Sequence, residues 1–553
     1  MLYKSPIRAD LTDPLYYLRN AQTLIDWVTE RHRTLLNRDE LRQLEHFNNL
    51  PEPAQALLIR MVMRRGEHFR TDQLNYPELP ELDPLLVMLA NVRLVSLDPL
   101  LDAEELFPLL RKNELWRLCS RLAPDQPPAR QLRKAELGLW LKQRTQAAQP
   151  IPSWLPDATF RLVELRVGPL MERLRLMFFG NLHQDWSEFV VTELGHQRYE
   201  AVPLDSLSGA FHSRQEVDHY LGLAQLQQQL DTTQDLPALI QALPDACPTP
   251  WLEHRRRKLA FAIAQQAERS GLFETARQLY RHNPHREAQL RYLRLLERFD
   301  TPDTAFQEAQ RQLSHTSQPE ARMRIQRILQ RSSKKAGHRV PTVSRPALPE
   351  ITLTLPPTEG IRVEQQVIRH LTQQGGQAWH VENRLFTGLF GLLLWPALFA
   401  PVPGAFFHPF QAGPADLYRP DFFAQRQMLV DAQMEQLRDG RYKHGILHRL
   451  QQKRGTACSL IHWPSLDTEL VERALDLIPA QHLDAVFRHL MLDLRHHRRG
   501  LPDLLYLEPG SGSYQLVEVK GPGDRLQDHQ RLWLERFIDL GIPATLCHVR
   551  HPS

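Results

Sequence analysis

The sequence predicts a multidomain protein of the α plus α/β class, helical over its first two-thirds and closing in a mixed sheet. Three observations carry that reading. The chain has 553 residues, more than one hydrophobic core holds, so about three or four domains are expected. Up to about residue 330, apolar residues recur at helical spacing, as in LRNAQTLIDWVTERHRTLL and EPAQALLIRMVMRRG. Near the C-terminus the text changes to strand-like runs, PDLLYL, YQLVEVK and PATLCHVR, interrupted by a turn EPGSGS and one helical stretch.

Composition narrows the class. Charged residues make up 24% and hydrophobic ones 42%, as in an ordinary soluble protein. A net charge of +4 leaves any affinity for polyanions to local patches rather than a global field. Cys119, Cys247, Cys458 and Cys547 lie far apart and form no CxxC pair, which argues against a disulfide framework or a zinc site and fits a reducing compartment. The N-terminus, MLYKSPIRADLTDPLYYL, lacks the apolar run of a signal peptide, so the chain is expected to be cytoplasmic. The uncharged stretch Leu385–Phe407 is long enough to cross a bilayer. Pro396, Pro401 and Pro403 interrupt it and Glu382 and Arg384 precede it. It is therefore expected to be a core helix, running from Glu382 to about Leu398, followed by a buried Pro-rich loop.

Taken in order, the helical region divides by its basic residues. RRGEHFRTDQLNYPEL places Arg64, Arg65 and Arg70 among Phe69 and Tyr76. That mixture suits a phosphate backbone, and equally a solvated helix end with its aromatics turned inward. From Leu109 to Arg144, two short helical patterns flank a Pro-rich turn and collect Arg111, Lys112, Arg117, Arg130, Arg133 and Lys134. The leucine spacing and the trailing RKAEL resemble the SAP motif, a DNA-binding helical hairpin. Between Trp251 and about Leu313, Ala260, Ala264, Ala267 and Ala276 alternate with large residues, as TPR-like hairpins require for close stacking. A Pro- and Ser-rich linker follows over 332–360. The expected division is thus 1–100 an N-terminal helical DNA-binding domain, 101–215 SAP-like, 216–331 TPR-like, and 361–553 the C-terminal domain.

That last domain carries the chemistry. Centring the hairpin loop Glu508–Ser513 between Gly510 and Ser511 sets Asp503 directly opposite Glu518. Period-two alternation puts Glu518 and Lys520 on one face, with Val517 and Val519 on the other. Opposed carboxylates repel, so such a hairpin calls for a cation between them. Oxygen ligands favour Mg²⁺ or Mn²⁺ over zinc, and the Val519 carbonyl is a further ligand candidate. Lys520 beside that ion would orient a water or meet the charge on a phosphate, which amounts to metal-assisted phosphodiester hydrolysis. The helix after it is expected to start in a capping-box-like pair, Asp524 and Gln527, with Leu526, Trp533, Phe537 and Leu540 as its apolar stripe and Gly541 as its stop. Read as a bare pattern, PD…ExK also fits an amphipathic hairpin whose Glu518–Lys520 pair is solvated.

The surrounding text does more. RRGLPDLLYL with LVEVKGPGDRLQDHQRLWLERFIDLGIPATLCHV resembles the VRR-NUC domain of the PD-(D/E)xK nucleases. HVENRLFTGLFGLLLWPALF, QAGPADLYRPDFF, GTACSLIHW, AQTLIDWVTERHRTLL and ELGHQRYE resemble segments of the Fanconi-associated nuclease family. The resemblance implies winged-helix and SAP-like DNA-binding helices, a TPR-like spacer and a restriction-endonuclease-like α/β core. It further implies a structure-selective DNA nuclease of the phosphodiesterase I type. Such an enzyme acts as a 5′-flap endonuclease and a 5′→3′ exonuclease in interstrand crosslink repair, on branched or flapped duplex DNA, in a nucleoid-associated or nuclear setting away from membranes. Under it, Asp503, Glu518 and Glu382 match the catalytic, metal-binding carboxylates, with Glu382 supplied by the buried helix, and Lys520 matches the catalytic lysine. The cysteines offer no ubiquitin-binding zinc finger, so a short form of the family is expected. Two other readings stand beside it: a Holliday-junction resolvase of the same nuclease class, and a non-catalytic scaffold for branched DNA.

Overall fold

The computed structural model describes residues 12–552 apart from 146, 195–196, 205–207, 233–234, 342–344 and 511. Residues 1–11, Gly195 and His196 of ELGHQRYE, linker positions 342–344 and the hairpin tip Ser511 therefore lie outside the described residues. The chain divides into two compact units, Met1–His196 with Leu204–Val217, and Gln197–Pro203 with Asp218–Ser553.

The first unit is built on helix Tyr16–His32, which buries Tyr17, Leu18, Ala21, Leu24, Ile25 and Val28, an amphipathic three-to-four repeat. Helix Glu52–Val62 and helix Gly168–Phe179 pack against it. Where the sequence pattern is helical throughout, the structure adds three short strands: β1 (His68–Arg70), β2 (Val95–Leu97) and β3 (Leu162–Leu165), in the order β1-β3-β2 and all antiparallel. The SAP-like hairpin, helices Lys112–Leu122 and Lys134–Lys142, closes around Leu115, Leu118, Cys119, Leu137 and Leu141. Trp116 Nε1 donates to the Pro128 carbonyl at 2.9 Å, which pins its Pro-rich turn.

In the second unit, helices Pro250–Arg269, Phe273–Arg281 and Arg286–Phe299 stack through small residues. Ala264, Ala267 and Ala276 are fully buried against Tyr280 and Leu295. Helices Pro302–His315 and Pro319–Ala336 continue the stack. The nuclease sheet has five strands: β4 (Glu350–Thr354), β5 (Gln377–His380), β6 (Leu504–Leu507), β7 (Tyr514–Lys520) and β8 (Ala544–Arg550), ordered β4-β8-β7-β6-β5. β7 and β8 are parallel, joined by the crossover helix Asp528–Asp539 as a parallel pair requires. β6 is antiparallel to both β7 and β5.

Three expectations change. Glu350–Thr354, read as linker, is an edge strand parallel to β8. The crossover helix begins at Asp528, with Gln527 and Gln530 as its capping pair, and Asp524 instead accepts from Gly521 N–H at 3.0 Å. Its buried stripe is Trp533, Leu534 and Phe537, while Leu526 precedes the helix. The uncharged stretch is core as expected: all nine residues of helix Leu385–Leu393 are buried. No helix among the described residues is long and apolar enough to cross a membrane.

Candidate active site

Alternation along β7 sorts its charges. Val517 and Val519 join Val367 and Leu371 of helix Val363–Gln373 in one apolar cluster, so Glu518 and Lys520 face the other way. Leu504 pairs with Val517, and the same register carried one residue further sets Asp503 opposite Glu518. That is the pairing expected from the loop centre. Asp503 Oδ2 accepts from Val519 N–H at 2.8 Å, and Lys520 Nζ donates to Glu518 Oε1 at 2.7 Å. Asp503, Glu518 and Lys520 are 7%, 0% and 8% exposed.

Glu382 reaches them through the backbone. β5 runs antiparallel to β6, and beyond its end the Val381 and Glu382 N–H groups both donate to the Asp503 carbonyl, at 2.7 and 3.2 Å. Asn383 then turns the chain with a φ of 54°. A short polar side chain tolerates this left-handed conformation by bonding locally. Here Asn383 Oδ1 accepts from Leu501 N–H at 3.0 Å, and its Nδ2 donates to Glu382 Oε1 at 3.2 Å. The Glu382 side chain is 47% exposed, which corrects the expectation of a buried carboxylate on the helix: it stands on the turn before Leu385. His380, two residues earlier on the same side, was passed over in the sequence. Ligand atoms of His380, Glu382 and Asp503 lie within 4.8 Å of one another.

The electrostatics fit a cation. Burial pushes the Glu518 carboxyl up to about 8, with repulsion from Asp503 and Glu382 adding to it and Lys520 opposing. Burial likewise raises Asp503 to about 6, against the Val519 N–H and Lys520 and with help from Glu382 and Glu364. Glu518 Oε2 is buried without a hydrogen-bond partner. Three carboxylates share one lysine here, so the donor set is short of positive charge and rich in hard oxygen, as a divalent ion requires. The Val519 carbonyl lies on the strand between Glu518 and Lys520.

Beside Asn383 opens a recess of about 250 Å³ lined by Arg384, Arg498, Arg499 and His462, with Ser459 and Thr387. Arg384 Nη1 and His462 Nδ1 both contact Ser465 Oγ, at 2.8 and 2.7 Å. Arg498 and Arg499 stand just before the Pro502–Asp503 corner, and only the fold brings Arg384 and His462 to them.

The basic residues expected to meet DNA lie in the first unit and separate into two groups. Arg64, Arg65, Arg111, Lys112, Arg117 and Arg133 are exposed. Arg70 is not: its guanidinium is 2% exposed, bridges Asp72 and Glu114 at 2.9 and 2.6 Å and stacks 3.6 Å above Phe160. It is a buried structural cation and not, as the sequence pattern suggests, a DNA contact. Lys134 is half-buried and spends its ammonium on the Pro108 carbonyl at 2.8 Å.

A mixed sheet that opposes two carboxylates across a hairpin, adds a lysine on the same face and brings in a third acid is built for metal-assisted phosphodiester hydrolysis. Residues 437–551 match the VRR-NUC domain, 15–96 the FAN1 HTH domain and 100–154 the Fanconi anemia-associated nuclease SAP domain. The Fanconi-associated nuclease 1 homolog of Pseudomonas aeruginosa is 40% identical over 99% of this chain and 98% of its own length. The Arabidopsis thaliana homolog is 26% identical over 97% of this chain and 67% of its own. A crystal structure of paFAN1 bound to 5′-flap DNA with a gap superposes with a TM-score of 0.93 and 40% identity, covering 98% of this chain and 100% of that one. The chain belongs to the Fanconi-associated nuclease family.

Proposed function

We propose that this nuclease is structure-selective, cutting 5′-flapped duplex DNA and degrading from 5′ ends, with Mg²⁺ or Mn²⁺, in the repair of interstrand crosslinks. One observation carries it: near-complete structural agreement with a relative whose crystal structure holds 5′-flap DNA, joined to a site of opposed carboxylates. Asp503, Glu518 and Glu382 would hold the ion, with the Val519 carbonyl as a further oxygen. A bound divalent cation supplies Lewis acidity that activates water and neutralises phosphate charge. The chain's own groups do the rest. Glu518 fixes Lys520 Nζ at 2.7 Å, so the ammonium stands ready to donate to a water or a phosphate oxygen. The Val519 N–H holds one Asp503 oxygen at 2.8 Å, and the Asp503 carboxylate offers an oxygen within 4.8 Å of ligand atoms of Glu382 and His380. Arg384, Arg498 and Arg499 give the neighbouring recess the charge to take a backbone phosphate. In the first unit, Arg64, Arg65, Arg111, Lys112, Arg117 and Arg133 supply non-specific grip on the duplex.

The test uses end-labelled 5′-flap, 3′-flap, nicked and four-way substrates with and without each metal. Metal-dependent cleavage confined to 5′-flap and recessed 5′ ends, lost in Asp503→Ala and Lys520→Ala, supports the reading. Symmetric paired cuts in the four-way junction would make it a resolvase. Tight flap binding with no cleavage by wild type would make it a scaffold.

A further inference from the structure

His380 closes β5, and its main chain is fixed opposite Leu504. Two residues on, Glu382 falls on the same side of the chain, and the paired N–H bonds from Val381 and Glu382 to the Asp503 carbonyl hold this stretch of backbone against that of Asp503. The three groups converge without satisfying one another: His380 Nε2 stands 3.9 Å from Glu382 Oε2, beyond hydrogen-bond range. A second observation is independent of that cluster. Glu518, opposite Asp503 in the hairpin register, keeps Oε2 buried and without a partner. An imidazole at 26% exposure, turned toward two acids and bonded to neither, is placed as a ligand is placed.

We propose that His380 is a nitrogen ligand of the nuclease cation, making the centre a mixed imidazole–carboxylate site that favours Mn²⁺ over Mg²⁺. This rests on reading the site as the nuclease centre. Mg²⁺ demands an all-oxygen octahedron and gives up its waters reluctantly. Imidazole shifts a site toward the transition metals, and Mn²⁺ is the one that also accepts carboxylate and water freely. A set of oxygens with a single nitrogen therefore discriminates by chemistry rather than by size.

Pulsed EPR on the full chain, without DNA and with substoichiometric Mn²⁺ in an amine-free buffer, reads the ligand directly. Wild type is expected to show ¹⁴N coupling to bound Mn²⁺, replaced by the ¹⁵N pattern when the histidines are ¹⁵N-labelled and lost in His380→Gln. Mn²⁺ affinity in His380→Gln should fall about tenfold or more, with Mg²⁺ affinity, read by competition, changing by less than about threefold. Bound Mn²⁺ with no ¹⁴N coupling in wild type overturns the proposal, as does coupling that survives in His380→Gln. Wild type without nitrogen coupling overturns the proposal even if that variant folds poorly. Failure here is separable from failure of the nuclease reading, which would appear as wild type leaving 5′ flaps uncut with either metal.

Discussion

Asn383 is the hinge between two halves of the active site, and replacing it separates its two jobs. Its Oδ1 takes the Leu501 N–H at 3.0 Å, two residues before Asp503, and its Nδ2 steadies Glu382 at 3.2 Å. Its backbone sits at a φ of 54°. Asn383→Gly keeps the backbone and deletes the side chain, leaving a part-buried N–H unpaired at a cost of about 1–3 kcal/mol. Asn383→Ala loses the same bond and adds about 1–2 kcal/mol of left-handed strain. The Ala variant should therefore unfold at lower temperature than the Gly variant, and both below wild type, in chelator so that metal binding does not mask the difference. A displaced Glu382 should slow single-turnover flap cleavage about 100-fold, since an error near 1 Å is that costly. If Asn383→Gly cleaves at the wild-type rate and melts with wild type, the hinge has no role and the coupling of Glu382 to the Asp503 segment lies elsewhere.

Arg70→Ala should destabilise the first unit by about 3 kcal/mol, because it removes the buried cation that Asp72 and Glu114 share and leaves Asp72 only Arg111 at 3.6 Å; exposed Arg65→Ala should leave the melt within about 0.5 kcal/mol and lower the salt slope of DNA binding by about 1. The opposite result, Arg70 acting through the salt slope alone, would return it to the DNA surface. At Gly500 the φ is 85° and an added Cβ would meet the His529 backbone at 2.8 Å, so Gly500→Ala should push the Leu501–Asp503 corner off the crossover helix and reduce both stability and cleavage. His32 is pushed down to about 4 by burial, with Arg31 and His212 adding to it. A depressed histidine stabilises the fold only while neutral. Denaturant titrations should therefore show full stability above about pH 6.5 and a loss approaching 2–3 kcal/mol as pH falls through about 4, a loss that His32→Gln removes.

What the sequence made legible was local. The pairing of Asp503 with Glu518 follows from where a six-residue loop sits between two alternating strands, and Leu504 opposite Val517 confirms the arithmetic. The buried helix Leu385–Leu393 follows from the absence of charge. Non-local pairing was not legible. β5 joins β6 across a long helical excursion, and nothing in QAWH records which strand it will meet. β4 lay hidden in a Pro- and Ser-rich segment because an exposed edge strand has little apolar pattern to show. Arg70 was misread because a buried cation and a DNA-facing one share the same letter, and only Asp72, Glu114 and Phe160 around it tell them apart. His380 and Asn383 carried a faint signal, an H-x-E-N run at the mouth of an uncharged helix, which gains meaning once the Asp503 carbonyl is seen to bind that turn.

The sheet order bears on heredity as well as on chemistry. The VRR-NUC match spans 437–551, which holds β6, β7 and β8 but neither outer strand and neither His380 nor Glu382. A gene fragment cut at that boundary would encode three strands with a raw edge on each side, a template for promiscuous pairing. It would also encode an active centre missing an acid. The unit of inheritance is therefore longer than the motif that marks it: β4 and β5 must travel with the C-terminal strands.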